Sequence, residues 1–201
     1  MKKVTLYCVA LIFAMLTTLE LNAQIRVDIM AGGAKPLGQD FQQAAKWGVG
    51  YSIDVTYIPN FLDKQLSFGI ARDGNILLMA EANYDDVKVD LKASTIGIFG
   101  GKVRFDMKTG NKVSPYAALT IGNGRVKCAY AKLDGEDDED GRSASSAYMR
   151  SNAFIVKPEI GVSLGAFQMS LGWILPRTYY GTTHIKAGVF MYNLGFRILA
   201  E

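Results

Sequence analysis

The dominant pattern in the sequence is an alternation of apolar and polar residues. In residues 48–57, valine, tyrosine and isoleucine occupy every odd position, whereas glycine, serine, aspartate and threonine occupy the even ones. Residues 167–175 and 189–198 carry similar alternations. A period of two places successive side chains on opposite faces of a β-strand. Helical periodicity is nearly absent, so the pattern predicts an all-β protein.

Eight segments follow this rule, and turn-forming residues separate them. Their predicted extents are residues 24–35, 48–57, 65–82, 87–105, 115–121, 154–164, 167–175 and 189–198. Two irregularities interrupt the pattern. The triplet Arg72-Asp73-Gly74 predicts a bulge or an extra turn in the third segment, and Ile96 and Ile98 place apolar side chains on the polar face of the fourth.

The composition of the two faces favours a membrane barrel over a soluble one. Alternation alone is shared by both, because a soluble barrel turns its apolar face inward. Here the polar face combines charges with many glycines and serines, as a narrow lumen does, and the apolar face is bulky. Its aromatic residues gather near strand ends, as two girdles would. We assign Trp47, Phe154, Trp173 and Phe190 to the external edge, and Tyr57, Phe68, Phe105, Phe167 and Phe196 to the periplasmic edge.

The connections between the segments alternate in length, as in outer-membrane barrels, which have long external loops and short periplasmic turns. The external candidates are residues 36–46, 83–86, 131–152 and 176–184, and the periplasmic ones are residues 59–64, 108–112 and 165–166.

An eight-stranded barrel is just wide enough for side chains to fill it. We therefore predict an interior ion-pair network, rather than a wide pore, from Asp54, Arg104, Lys157, Glu159 and Arg197.

The beginning of the chain has the character of an export signal. Lys2 and Lys3 precede an uncharged, mostly apolar run, and Ala23 lies just before Gln24. We expect residues 1–23 to be a cleaved signal peptide and residues 24–201 to form one barrel domain. That domain is nearly neutral and has no cluster of basic residues typical of nucleic-acid binding. It also has no apolar run of about 18 residues that would predict a membrane-spanning helix.

Two short glycine-containing segments carry a resemblance to a known family. Ala31-Gly32-Gly33-Ala34-Lys35-Pro36-Leu37-Gly38 precedes a polar loop, and Gly48-Val49-Gly50-Tyr51 opens the second strand. Together with the export signal, they resemble the OmpA and OmpX type of small outer-membrane β-barrels. The resemblance implies an eight-stranded antiparallel up-and-down transmembrane β-barrel in the cell outer membrane, with the lipid bilayer as its immediate partner.

His184 is the one histidine and the first candidate for catalysis. It lies at the outer end of the last strand, where lipid A deacylase barrels hold a histidine with a serine two positions later. This chain has Lys186 at that position. Nucleophilic catalysis also needs an activated hydroxyl and an orienting carboxylate, which the sequence does not identify. We therefore predict no catalytic residue and no enzymatic activity.

The acidic run from Asp134 to Asp140 is the candidate for metal binding, because carboxylate oxygens are the ligands that Ca²⁺ prefers. Counted from Glu136 as position 1 of a calcium loop, position 12 is Ala147 instead of the required glutamate. A block of like charges resists ordering, so we predict a solvated external loop and no metal or cofactor site.

Cys128 is the one cysteine after residue 23, which excludes an internal disulfide in the expected mature chain and predicts a small apolar strand residue.

These observations favour a non-enzymatic outer-membrane protein with an envelope-structural or surface-interaction role through its external loops. The external partner is not identified by any motif. One alternative is a secreted or periplasmic lipocalin-like barrel that binds a small hydrophobic ligand, which would require the apolar face to point inward. Another is a narrow channel for small solutes, which would require an open lumen.

Overall fold

The period-two segments of the sequence form the strands of a closed barrel. The structure, a computed structural model, describes residues 24–59, 62–79, 81–84, 87–90, 93–109, 112–134, 143–180 and 185–200. Its elements are β1 (Gln24–Leu37), α1 (Gln39–Ala44), β2 (Ala45–Ile58), a 3-10 helix (Leu62–Lys64), β3 (Leu66–Met79), β4 (Glu81–Tyr84), β5 (Val87–Asp90), β6 (Ser94–Asp106), β7 (Val113–Asp134), β8 (Ser143–Leu164), β9 (Phe167–Tyr180) and β10 (Gly188–Ala200).

Eight of these strands make the wall in the order β1, β2, β3, β6, β7, β8, β9 and β10, and β10 pairs with β1 to close it. Every wall pair is antiparallel, and each pair except the closing one joins two wall strands that are consecutive along the chain once the β4–β5 hairpin is set aside. The predicted eight-stranded up-and-down barrel is therefore confirmed. Because the short turns lie at one end, we call that end periplasmic and the opposite end external.

The two faces of the wall have the predicted composition. Inward side chains include Arg104 and Lys157, both fully buried, whereas outward side chains include Phe99 and Phe196, which are 57% and 63% exposed. An apolar outside around a charged inside is the reverse of a soluble barrel and matches a barrel whose outside contacts lipid. The apolar face of the alternating segments points outward, so the structure contradicts the lipocalin-like alternative, which requires that face to point inward.

The predicted bulge at Arg72-Asp73-Gly74 is wrong. β3 runs through the triplet and pairs without a break with β2 and β6. Asp73 keeps the inward parity and forms an ion pair with Lys157, while Arg72 points outward. The sequence of the triplet is typical of a turn, but Arg72 and Asp73 occupy opposite faces of a regular strand. The register shifts lie elsewhere, between Ala45 and Trp47 and between Phe154 and Ile155.

The external connections contain more structure than predicted. Most of residues 131–152 belongs to β7 and β8, which pair with each other from Val113–Leu164 up to Asp134–Ser143. Residues 36–46 contain α1, and β9 extends to Tyr180 into the predicted loop 176–184. The predicted fourth strand also begins too early, because residues 87–90 form a separate hairpin with β4 and the wall strand starts at Ser94. The two strands of a hairpin satisfy each other's backbone hydrogen bonds along their shared edge, so a hairpin can continue beyond the end of the wall.

The tightest periplasmic turn is Gly165-Ala166, as predicted. Gly165 has a φ of 62°, which favours glycine. Among the described residues, no helix is long and apolar enough to cross a membrane.

Candidate functional site

The periplasmic half of the interior contains a network of charged side chains, which we call the charged network. It consists of five basic and five acidic residues, so it is formally neutral. Its members are Arg26, Asp28, Asp54, Asp73, Lys102, Arg104, Asp106, Lys157, Glu159 and Arg197. Each basic residue lies within 4 Å of a carboxylate, which offsets the cost of burying its charge.

The charged network has a lower part, nearer the periplasmic end, and an upper part, nearer the middle of the barrel. Arg104 is the centre of the lower part. Its Nη2 donates to Asp106 Oδ1 at 2.6 Å, and its Nη1 donates to Asp28 Oδ2 at 3.1 Å. The same guanidinium donates to Gln168 Oε1 at 2.7 Å and to Ser163 Oγ at 2.9 Å. Because the planar guanidinium offers several donors in fixed directions, one side chain joins β1, β6, β8 and β9 across the lumen.

Arg26 extends this lower part toward the β2 and β3 side of the barrel. Its Nη1 donates to Asp106 Oδ2 at 2.8 Å, and its Nη2 donates to Ser67 Oγ at 2.6 Å. Arg197 completes it from β10, where Nη2 donates to Ser163 Oγ at 2.9 Å and to Asp106 Oδ1 at 3.4 Å. Asp106 is therefore shared by three arginines, counting Arg104.

Two lysines organise the upper part of the charged network. Lys157 pairs with Asp73 across the lumen and with Glu159 on its own strand at 3.0 Å. Lys102 pairs with Asp54 and lies 3.4 Å from both carboxylate oxygens of Glu159. Glu159 therefore connects the two lysines, and strands β2, β3, β6 and β8 are joined through their side chains.

Tyr116 links the upper and lower parts. Its hydroxyl donates to Glu159 Oε1 at 3.0 Å, and its ring centroid lies 3.4 Å from the Arg104 Cζ. A cation over an aromatic face is attracted by the ring quadrupole, more strongly when water is excluded. The tyrosine is buried and occupies space that would otherwise separate the two parts.

The predicted interior ion pairs are thus present: Asp54, Arg104, Lys157, Glu159 and Arg197 all lie in one network. The prediction missed Arg26, Asp28, Asp73, Lys102 and Asp106 as members. The odd or even position of each residue along its strand would have identified most of them, because inward positions alternate regularly with outward ones. Asp73 was concealed by its interpretation as a turn residue.

The external half of the interior is filled by apolar side chains, which we call the apolar cluster. Its members are Ala34, Phe41, Ala44, Ala45, Leu77, Ile96, Ile98, Val126, Cys128, Ala129, Ala153, Ile155, Ile174, Ile185, Val189 and Met191. Ile96 and Ile98, which broke the sequence pattern, belong to this cluster. Gly124 makes room for it, since a Cβ there would collide with the Gly97 carbonyl oxygen and with Ile155 Cδ1.

The short helix α1 covers the cluster from the external end. Phe41 is fully buried, and the Asp40 carboxylate accepts a hydrogen bond from the Lys186 backbone N–H at 2.6 Å. The Cys128 thiol contacts the Asp40 carbonyl at 3.6 Å and is buried, so this cysteine is an apolar packing residue as predicted. The helix therefore completes the filling of the external half.

The described part of the interior contains ion pairs and apolar packing, and it does not include the two sequence candidates for chemistry. Within the described ranges, no group of three or more potential metal-binding side chains comes together. The two sequence candidates cannot be placed, because His184 and residues 135–142 lie outside the described residues. Charged side chains that neutralise one another and packed apolar side chains together occupy the interior.

Comparison with solved structures finds the same fold. The chain is similar to Neisserial surface protein A (NspA), with a TM-score of 0.59 and 16% identity over 87% of this chain and 96% of that one. Lower similarity is found to Ail of Yersinia pestis, with a TM-score of 0.43, 14% identity, and coverage of 88% and 97%. The N-terminal β-barrel domain of Pseudomonas aeruginosa OprF has a TM-score of 0.42 and 12% identity, with coverage of 86% of this chain and 97% of that one. No protein-family model matches the chain, and no curated protein matches its sequence.

The likeness to NspA shows the fold and confirms the predicted resemblance to small outer-membrane barrels at that level. The location follows from the surface of this chain. A closed barrel with an apolar band outside and buried charged side chains inside is the architecture of an outer-membrane protein. The chain is therefore an outer-membrane-type β-barrel in contact with the lipid bilayer, as the sequence predicted.

Proposed function

We propose that the protein is a non-enzymatic outer-membrane barrel that acts through its external segments, in envelope structure or in surface interaction. We also propose that residues 1–23 are the signal peptide that directs export. The observation that carries the proposal is the contrast between a filled interior and an extended external hairpin. Within the part of the chain that the structure describes, ion pairs and packed apolar side chains occupy the interior, whereas the hairpin continues beyond its neighbours in the wall.

The geometry of the hairpin supports this role. β6 pairs with β7 up to Lys127, but β7 continues to Asp134. On the other side, β9 pairs with β8 from Asn152 onward, whereas β8 begins at Ser143. The intervening parts of both strands pair mainly with each other and lie above the wall. Among the described residues, no other wall strand forms a ladder with these parts, and an unpaired strand edge is where strand-mediated recognition commonly begins.

A truncation separates the barrel from its external hairpin. Cys128 and Met149 are opposite each other in the register, so a two-residue Asn-Gly turn can replace residues 129–148. Three strains would be compared, which carry the full protein, the truncated protein or no protein. A difference in gel mobility between unheated and boiled samples would verify that the barrel is folded. Adherence to immobilised sulfated dextran and autoaggregation would report surface interaction, and survival in detergent would report envelope integrity.

We expect the truncated barrel to restore detergent survival if its role is structural, and to lose adherence or autoaggregation if its role is surface interaction. Either result supports one of the two branches of the proposal. If cells without the protein match the wild type in all three assays, both branches are contradicted. A truncated protein that retains full adherence would contradict a role for the hairpin in that interaction.

A further inference from the structure

One side of the barrel carries a group of four cations on its outside, where an apolar wall is expected. Arg72 on β3, Arg125 and Lys127 on β7, and Arg150 on β8 all occupy outward positions. We call them the exterior basic patch. Among the residues that the structure describes, no carboxylate forms an ion pair with any of the four, in contrast to every cation of the charged network.

The patch concentrates like charges in a small area. Lys127 and Arg150 are directly opposite each other in the β7–β8 register, and Arg125 is the next outward residue on β7. Like charges at directly opposite positions destabilise a strand pair. The Lys127 ammonium lies 3.7 Å from the ring centroid of Tyr148, and the ring centroid is 6.0 Å from the Arg150 Cζ. The tyrosine ring attracts the Lys127 ammonium, but it does not neutralise either cation.

The position of the patch points to the level of lipid headgroups. On β7 the apolar outward positions end at Ile121, and Asn123, Arg125 and Lys127 follow toward the external end. On β8 the apolar outward positions end at Phe154, with Asn152 and Arg150 beyond it. These cations therefore begin where the apolar band ends, on two neighbouring strands.

Arg72 extends the patch into the apolar band. It lies between Ile70 and Ile76, which are 52% and 50% exposed, and its Nε donates to the Tyr51 hydroxyl at 3.4 Å. A cation on the lipid face is costly near the bilayer centre and much less so near the interface, which its side chain reaches by snorkelling. A groove of about 350 Å³ connects it to Arg125 over Gly97, Phe99 and Asn123.

A second groove of about 500 Å³ continues along the patch. Arg125, Lys127, Arg150 and Asn152 line it together with Thr95. Guanidinium and ammonium groups beside an amide form a donor set suited to phosphate oxygens. The material that surrounds the wall at this level is lipid, so the anion that fits this position is a headgroup phosphate with its acyl chains along the apolar band.

We propose that the exterior basic patch binds the phosphate group of an anionic lipid in the external leaflet. The lipid neutralises the repulsion between Lys127 and Arg150 and fixes the depth of this side of the barrel in the membrane. This inference requires only that the barrel lies in a bilayer. It does not depend on what the external hairpin contacts.

Native mass spectrometry of the folded barrel in non-ionic detergent tests the proposal. The probes are phosphatidic acid and phosphatidylcholine, each titrated to give the apparent Kd of the first bound lipid. We expect the wild type to prefer phosphatidic acid. Each of the substitutions Arg125→Gln, Lys127→Gln and Arg150→Gln is expected to weaken phosphatidic acid binding by about fivefold, with little change for phosphatidylcholine.

Lys35→Gln is the matched control. Lys35 is an exposed, outward residue near the external end of β1, and β1 is four strands away from β7 around the ring. Its substitution should leave the Kd within about twofold, because Lys35 lies across the barrel from Arg125 and Lys127 and its charge is screened over that distance. Different mobility of unheated and boiled samples verifies that each variant folds.

Equal loss of affinity in Lys35→Gln and the patch variants would overturn the proposal, since net charge alone would then explain binding. Unchanged affinity in all three patch variants would also overturn it. A third contrary result is patch-dependent binding of sulfated dextran from solution without any preference for phosphatidic acid, which would assign the patch to a soluble polyanion. The truncation experiment stays distinguishable from these results through autoaggregation and detergent survival, which do not depend on sulfated dextran.

Discussion

The periplasmic half of the barrel interior is held together by ion pairs, whereas the external half is held together by packed apolar side chains. Single strands pass from one chemistry to the other: β8 turns Glu159 and Lys157 inward near one end and Ile155 and Ala153 near the other. On β3 the inward order is Asp73, Asn75 and Leu77. The same fold therefore uses two different means of filling a narrow lumen.

The two halves should respond differently to substitution. An apolar cluster loses contacts in proportion to the atoms removed, and its neighbours partly close the gap. A buried network is more sensitive to the loss of one partner than to the loss of both, because an unpaired charge remains desolvated. Asparagines mark the boundary: among the described residues, the side-chain amides of Asn75 and Asn193 have no hydrogen-bond partner.

The largest effect is expected for Lys157→Met. Asp73 forms an ion pair with Lys157 and with no other cation among the described residues, so the substitution leaves a buried, unpaired carboxylate. The free energy of unfolding should fall by about 3–5 kcal/mol. Urea unfolding in phospholipid vesicles measures it, with the fluorescence of the outward-facing Trp47 and Trp173 as the signal. Lys112→Met, at an exposed position, is the control, and an equally small loss in both variants would contradict the role of the pair.

The next effect is expected for Ile174→Ala in the apolar cluster. Ile174 is fully buried, and its truncation should lower the free energy of unfolding by about 2–4 kcal/mol through lost contacts and a residual cavity. The same urea titration applies. Leu194→Ala is the matched control, since Leu194 is 55% exposed on the outside, where lipid can fill the space. A loss as large for Leu194→Ala would show that the apolar cluster is not tightly packed.

The smallest effect is expected when both partners of an ion pair are replaced. The double variant Lys157→Met and Asp73→Leu removes both charges, while Glu159 keeps Lys102 and Tyr116 as partners. Its unfolding free energy should be within about 1 kcal/mol of the wild type, well above that of Lys157→Met alone. A double-mutant cycle with Asp73→Leu measures the coupling. Additive losses would mean that the two charges do not stabilise each other.

The sequence predicts which face of a strand a side chain occupies better than it predicts the height of that side chain in the barrel. Period-two alternation identified the inward face, and with it Lys157 and Glu159. It treated Ile96 and Ile98 as exceptions, because alternation does not reveal that the inward face changes from charged to apolar along the strand. The change depends on how neighbouring strands are staggered, which is a property of the closed sheet.

The external segments were predicted least well for a related reason. β7 and β8 leave the wall at Lys127 and Asn152, so beyond these residues no lipid face requires apolar side chains. The alternation signal then disappears although the strands continue. The exterior basic patch was missed too, since Arg125, Lys127 and Arg150 come together only through the β7–β8 register.

Planar-bilayer conductance of the purified, folded barrel tests most directly whether the interior is filled in both halves. The charged network and the apolar cluster lie in series along the lumen, so an ion would have to pass both. We expect conductance at the background level of the lipid bilayer in the wild type. Stable single-channel steps from the folded protein would contradict this account, because they would require a continuous aqueous path through an interior that ion pairs and apolar packing are expected to fill.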